Sequence, residues 1–337
     1  MAERLEQLTR WLREDIGITQ FDIAPASSDA SFRRYFRIRY SEDGAQQTRV
    51  VMDAPPAQED CAPYVQIARE FLALGLNVPE IIRADMERGF LLLSDLGPRQ
   101  YLDELNESSV EDLYGAALEA LLILQLLCKT DEIRLPPYDH ALLMREMGLF
   151  GEWFVHKHLG ITLTDDQSAQ LTQICELLAA SALEQPTVCV HRDYHSRNLM
   201  ITQNNNPGIL DFQDAVAGPL TYDLVSLLRD CYIAWPPAQV REWAIHYQRR
   251  ALEAGLLTEN NEAQFMRWFD WMGIQRHLKA IGIFARLSMR DGKPGYLKDI
   301  PRTLGYVVAV SRHYPELAPL NILLRDVIVP ALANKAA

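Results

Sequence analysis

The sequence predicts an α+β protein in which a small, β-rich N-terminal lobe precedes a large, mainly helical C-terminal lobe. Three observations carry that prediction. Residues 32–53 are rich in aromatic, arginine and valine positions on either side of a polar turn, as in an antiparallel hairpin. From about 108 onward, apolar residues recur at helical spacing. One short β-rich island, 187–211, interrupts those helices.

Taken in order, Leu5, Leu8, Trp11 and Leu12 share one face of an opening helix over 3–15. The hairpin follows, its strands near 32–40 and 46–52 joined by Ser41-Glu42-Asp43-Gly44. A helix over 62–74 is stopped by Gly75 and Pro79. Strands at 80–84 and 89–93 flank a turn at Glu87-Arg88-Gly89. The connection Ser94-Asp95-Leu96-Gly97-Pro98 then divides a small lobe, 1–97, from a large one, 98–337. Helices are expected over 108–129, 139–159 and 165–183. Within the island, strands near 187–190, 199–201 and 208–210 surround an Asn-rich turn at 204–208.

Composition narrows the function. The 337 residues are 48% hydrophobic and 23% charged, which is ordinary globular chemistry and excludes a disordered chain. A net charge of -12 repels phosphate backbones and anionic lipid, which argues against nucleic-acid and membrane-surface roles. No obligate protein partner is evident. The five cysteines are scattered without a C-x-x-C pair, so reduced thiols are expected in place of a disulfide framework or zinc site. The first residues lack a signal-peptide layout, and the apolar run from Leu121 to Cys128 is too short to span a bilayer. A cytoplasmic location is the expectation.

The island holds the chemistry. A short apolar strand runs into His191-Arg192-Asp193-Tyr194-His195-Ser196-Arg197-Asn198, and a later strand ends in Asp211-Phe212-Gln213-Asp214. This is H-R-D-x-x-x-x-N followed by D-F-Q. Phosphoryl transfer needs a carboxylate to accept the hydroxyl proton, a role Asp193 fits. It also needs oxygen ligands for a magnesium ion on the phosphates, which Asn198 and Asp211 would supply. His191 and His195 have the i, i+4 spacing of a zinc-protease helix, but Arg192 stands where that motif needs Glu.

These residues resemble the aminoglycoside phosphotransferase and choline kinase-like family, a branch of the protein-kinase superfamily, over nearly the whole chain. The resemblance implies a two-lobed protein-kinase-like fold using ATP and Mg2+, with Asp193 catalytic and Asn198 and Asp211 holding the metal. It implies that His191 and Arg192 buttress the loop. Asp223, in Thr221-Tyr222-Asp223-Leu224, would open a helix and brace the loop, besides capping that helix. Asp95 and Leu96 would form the hinge that receives adenine. Segments 28–37, 51–56, 91–97 and 211–219 further resemble bacterial anomeric sugar kinases, which phosphorylate the C1 hydroxyl of N-acetylmuramate and N-acetylglucosamine in cell-wall recycling. A small amino sugar is therefore the expected partner. Another acceptor, aminoglycoside or choline-like, and a nucleotide-binding regulator without catalysis remain open alternatives.

Two family parts are missing. No G-x-G-x-x-G precedes the first hairpin strand; Ser31, Phe32, Arg33 and Arg34 occupy the expected phosphate-facing place. The first lysine of the chain is Lys129, so a small-lobe phosphate-binding lysine is absent. Arg33 or Arg34 is expected to replace it, while Arg37 and Arg39 read as a solvated strand face. Arg197, Asp214 and Trp153, with Asp193, are the candidate acceptor contacts. Phe154 and Trp271 read as core, and His156-Lys157-His158 as a solvated helix end. Arg276, His277 and Arg286 are candidates to face an anionic group on the substrate.

Overall fold

The computed structural model describes residues 2–27 and 32–336, so the expected site residue Ser31 lies outside the described residues, as do Ser28, Asp29 and Ala30. The chain packs as two compact units, 1–120 with 197–214, and 121–196 with 215–337. Packing thus assigns 98–120 and the hairpin 197–214 to the first unit.

In the first unit, α1 (Ala2–Glu14) lies on an antiparallel sheet of β1 (Asp22–Ser27), β2 (Arg34–Glu42), β3 (Ala45–Asp53), β4 (Ile81–Asp85) and β5 (Phe90–Ser94), in the order β1-β2-β3-β5-β4. The apolar stripe of α1 explains the pairing. Leu8, Trp11 and Leu12 bury against Ile38, Val51, Phe90 and Leu92. Full burial of such side chains stabilises by about 1.5–3 kcal/mol each. α2 (Ala62–Ala73) buries Tyr64, Val65, Ile67, Ala68 and Phe71. After α3 (Tyr101–Glu104), α4 (Val110–Leu127) carries the chain into the second unit. β1 was not foreseen: Pro25 and three small residues give it weak strand character, and it sits at the sheet edge, where proline is tolerated.

In the second unit, α8 (Pro237–Glu253) precedes α9 (Glu262–Asp291), which is 30 residues long and buried on most of its faces. It packs on α5 (His140–Leu149), α6 (Asp165–Leu183), α7 (Tyr222–Leu228) and α10 (Ile300–Ser311). α6 begins at a capping box in which Thr164 and Gln167 satisfy each other's backbone. The single helix expected over 139–159 instead changes after Leu149 into a wider, π-type winding over Phe150–His158. The cause is contact with α9. A Cβ on Gly282 would lie 2.4 Å from the carbonyl carbon of Leu149, so the two backbones meet where the winding changes. β6 (Thr187–Val190) pairs with β9 (Val216–Pro219) in this unit. β7 (Leu199–Met200) pairs with β8 (Gly208–Ile209) in the first.

Candidate active site

In the second unit, β6 delivers the chain into the loop 191–196. Asp223, in the first turn of α7, grips the start of that loop. Its carboxylate accepts from the backbone N–H of His191 at 2.6 Å and of Arg192 at 3.0 Å. Burial pushes the Asp223 carboxyl up to about 7, against the pull of those two N–H groups, and the nearby Asp193 charge adds to the rise. Arg192 sits at φ +77°, a region costly for a side-chain-bearing residue, and the double grip of Asp223 holds it there. The Asp193 N–H meets His191 Nδ1 at 3.2 Å, while Asp193 O accepts from His195 N at 3.0 Å. Ser196 closes the loop on Asp230, donating from N at 2.9 Å and Oγ at 2.5 Å. The loop is therefore anchored at both ends by buried aspartates.

A second layer surrounds Asp193 with positive charge. Arg192 and Lys279 both pair with the buried Glu146, Lys279 at 3.1 Å. Glu146 also accepts from the Tyr138 hydroxyl, and Lys279 donates to the Tyr222 hydroxyl at 2.9 Å. Burial opposes ionisation of Asp193, but Lys279, His195, Arg192 and Arg276 outweigh it and hold the carboxyl below its ordinary range. At neutral pH Asp193 is an anion able to accept a proton. Glu146, Lys279 and Tyr138 escaped sequence reasoning because they come from three separate helices or loops and share no spacing with the loop. A buried lysine on a long apolar helix is the one signal that would have flagged them.

In the first unit, β7 and β8 hold Asn198 and Asp211 on adjoining rungs. Leu210 N donates to Asn198 O at 2.9 Å, extending the Leu199–Ile209 register so that Asp211 is the next residue. Asp211 has φ +64°, a conformation that Asp tolerates better than most residues. Gln213 Nε2 bonds Asp211 Oδ1 at 2.8 Å and Asp214 Oδ2 at 3.2 Å. Phe212 is buried between Tyr64 and Phe71, with ring centroids at 4.9 and 5.7 Å. Asp214 is mostly exposed, with Arg33 at 3.9 Å.

The arginines of the hairpin separate by partner. Arg34 and Arg4 both clamp the fully buried Asp53, each also through Nε at 3.1 Å. Arg33 lies 3.7 Å from Glu59 and 3.9 Å from Asp214, and the charge of Asp211 is felt at it. Arg37 is not the solvated strand face expected. Its guanidinium forks onto Asp95 at 2.7 and 2.9 Å and reaches Gly97 O at 2.9 Å. Asp95 is therefore committed to Arg37 and to the N–H of Gly97, which it accepts at 2.9 Å. Leu96 touches the hairpin, its Cδ1 being 2.9 Å from where a Gly208 Cβ would stand. Arg39 is exposed, as expected, and Phe32 is 63% exposed, with its N–H 3.4 Å from Glu59.

The remaining candidates are distributed more widely. Arg197 is partly buried where the chain enters the first unit. One face of Trp153 is covered by Lys157, its Nζ 3.5 Å from the ring centroid. Phe154 and Trp271 are core residues, as expected. His277 is buried, held neutral with its pKa lowered to about 3 by burial and by Arg276, and its Nε2 lies 2.9 Å from Arg229 O. Arg276 is likewise buried. All five cysteines are free and buried. No helix among the described residues is long and apolar enough to cross a membrane.

Comparison with known proteins places this arrangement. A profile described as the phosphotransferase enzyme family matches residues 22–257. An N-acetylmuramate/N-acetylglucosamine kinase of Pseudomonas aeruginosa is 47% identical over 332 residues, covering 95% of this chain and 96% of that protein. A protein of the same name from Neisseria meningitidis serogroup B is 44% identical, covering 97% and 96%. Among solved structures, an ADP-bound aminoglycoside phosphotransferase aligns with a TM-score of 0.55 at 17% identity, covering 90% of this chain and 97% of that one. That likeness shows the kinase-like fold: an antiparallel sheet lobe followed by a mostly helical one. On the profile match and the near-full-length relatives together, the chain belongs to the phosphotransferase enzyme family.

Proposed function

We propose that this protein is an ATP-dependent sugar kinase that phosphorylates the anomeric C1 hydroxyl of N-acetylmuramate, N-acetylglucosamine or both, in the cytoplasm where ATP is available. The observation that carries the acceptor reading is the identity of 44–47% to proteins named for those two sugars, extending over almost the full length of each. A fold shared with an ADP-bound phosphotransferase supports a nucleotide donor.

In this reading Asp193, kept ionised by the cations around it, takes the proton of the sugar hydroxyl. The freed oxygen forms the new bond to the γ-phosphorus as the bond to the β–γ bridging oxygen breaks and ADP leaves. Asp223 and Asp230 keep the base's loop in place through the hydrogen bonds given above. Asn198 and Asp211 suit a magnesium ion, because both offer hard oxygen donors and both stand at the same end of the β7–β8 hairpin. Bound magnesium supplies charge neutralisation on the phosphates. Arg33, at which the charge of Asp211 is felt, takes the phosphate-binding role of the missing lysine, whereas Arg34 is committed to Asp53. Asp95 and Leu96 shape the adenine end.

The test is ADP release with ATP and magnesium against both sugars, choline and an aminoglycoside, with phosphorus NMR of the product. A sugar 1-phosphate is the expected product. Turnover only with choline or the aminoglycoside overturns the acceptor, and ATP binding without any turnover overturns the enzyme reading.

A further inference from the structure

Near Asp193 the second unit holds three cations, and only two of them have a carboxylate. Arg192 and Lys279 share Glu146. Arg276 lies three residues before Lys279 on α9, on the same face, and is 5% exposed. Its one hydrogen-bonding partner is Cys231 Sγ, 3.5 Å from Nη1. Burial keeps that thiol protonated, so it carries no neutralising charge. Arg276 Nε is buried with no partner. Asp230 is close enough for its charge to be felt, yet its oxygens serve Ser196 N and Oγ and the N–H of Tyr232 at 2.9 Å. Among the described residues no carboxylate lies within ion-pair distance of Arg276. A guanidinium has five donors and is always charged, and burying one without a counter-ion is costly. Asp193 and Asp230 offset part of that charge at a distance, but neither bonds the guanidinium, whose unpartnered buried Nε is a donor that a ligand group can complete.

We propose that Arg276 recognises a carboxylate carried by the acceptor sugar, and so makes an acidic amino sugar the preferred substrate over its neutral counterpart. The inference rests on the sugar-kinase reading above. The positive surroundings also fit: Arg276 is among the cations whose charge reaches Asp193, so a group bound at Arg276 lies in the neighbourhood of the base. A planar guanidinium matches a carboxylate with two parallel hydrogen bonds, which a hydroxyl or acetamido group does not reproduce. The interaction is with a part of the sugar that does not react, so it strengthens binding more than it speeds the chemical step.

The experiment compares N-acetylmuramate, its methyl ester and N-acetylglucosamine on the full-length protein and on Arg276→Met and Arg276→Lys. Expected for Arg276→Met is a rise in KM for N-acetylmuramate of roughly 10- to 100-fold, the size of a lost charge-assisted pair. Any change that reaches turnover through Asp193 is common to both sugars, so the decisive reading is the ratio of kcat/KM for N-acetylmuramate to that for N-acetylglucosamine, expected to fall by the same roughly 10- to 100-fold. Wild type acting on the ester should resemble Arg276→Met acting on the acid, and Arg276→Lys should recover part of the loss. Equal losses on both sugars would assign Arg276 to phosphoryl transfer or to structure and overturn the inference. Should Arg276→Met fail to fold, the wild-type comparison of acid with ester decides, and equal KM values overturn it. If wild type turns over neither sugar, the acceptor reading fails first and takes the inference with it.

Discussion

Each unit is built around one buried carboxylate gripped by two cations, and the two clamps do different things. In the first, Asp53 at the end of β3 receives Arg4 from α1 and Arg34 from β2. Those arginines are 24% and 29% exposed, so water shares their charge. In the second, Glu146 receives Arg192 and Lys279, which are 20% and 10% exposed, beside an Arg276 that has no carboxylate. The first clamp fastens a helix to a strand and is close to self-contained. The second leaves surplus positive charge in a confined space, and that surplus is what keeps Asp193 ionised. A matched clamp holds structure together, whereas a clamp with a surplus sets the protonation state of its neighbour.

The largest effect should come from removing the group the surplus serves. Asp193→Asn is expected to lower turnover by roughly 10²–10⁴-fold, the usual value of a positioned general base. Nucleotide binding, read by titration calorimetry, should persist. Loss of nucleotide binding instead would blur the contrast, because Asp193 would then be holding structure as Asp53 does. Next is the clamp itself. Glu146→Gln strands two largely buried cations and should cost about 3–5 kcal/mol of unfolding free energy, measured by urea denaturation. Asp53→Asn should cost less, about 1.5–3 kcal/mol, since its arginines already reach water. Reversal of that order would break the comparison.

The smallest effect concerns pH. Burial opposes the charge of Glu146, yet Lys279, Arg192 and the Tyr138 hydroxyl hold its carboxyl below the ordinary value. A carboxyl depressed on folding contributes stability that is present above its unfolded value, about 4.3, and lost as pH falls through its lower folded value. The cost of Glu146→Gln, measured by thermal unfolding, should therefore shrink once the pH falls below that of an ordinary glutamate. A penalty unchanged down to strongly acid pH would mean that packing, not charge, makes the clamp.

What the sequence made legible follows from distance along the chain. The loop 191–198, with Asp211, could be read because its parts lie within one island whose strands and turn are locally encoded. The helix over 165–183 could be read for the same reason, from its own local apolar spacing. Glu146, Lys279 and Tyr138 could not be read, since nothing local ties residues so far apart, and α9 alone brings them to Asp193. Arg37 differs from its expectation because strand alternation gives a face and not a partner, and its partner Asp95 lies just past the end of β5, two strands away in the sheet. The switch to wide winding at Phe150 depends on Gly282, more than a hundred positions later.

The placement of the β7–β8 hairpin has a consequence for how the protein is made. Asn77 pairs with Gly208, Gln100 with Met200, and Phe212 completes the aromatic cluster on α2. A ribosome that has delivered the first 120 residues has therefore not yet supplied everything the first unit packs. Tyr64 and Phe71 lack their neighbour until residue 212 emerges, with much of the helical unit translated in between. The gene can accordingly not be cut once to yield this lobe as an independent module, nor can the lobe be traded between relatives without carrying the distant hairpin along with it.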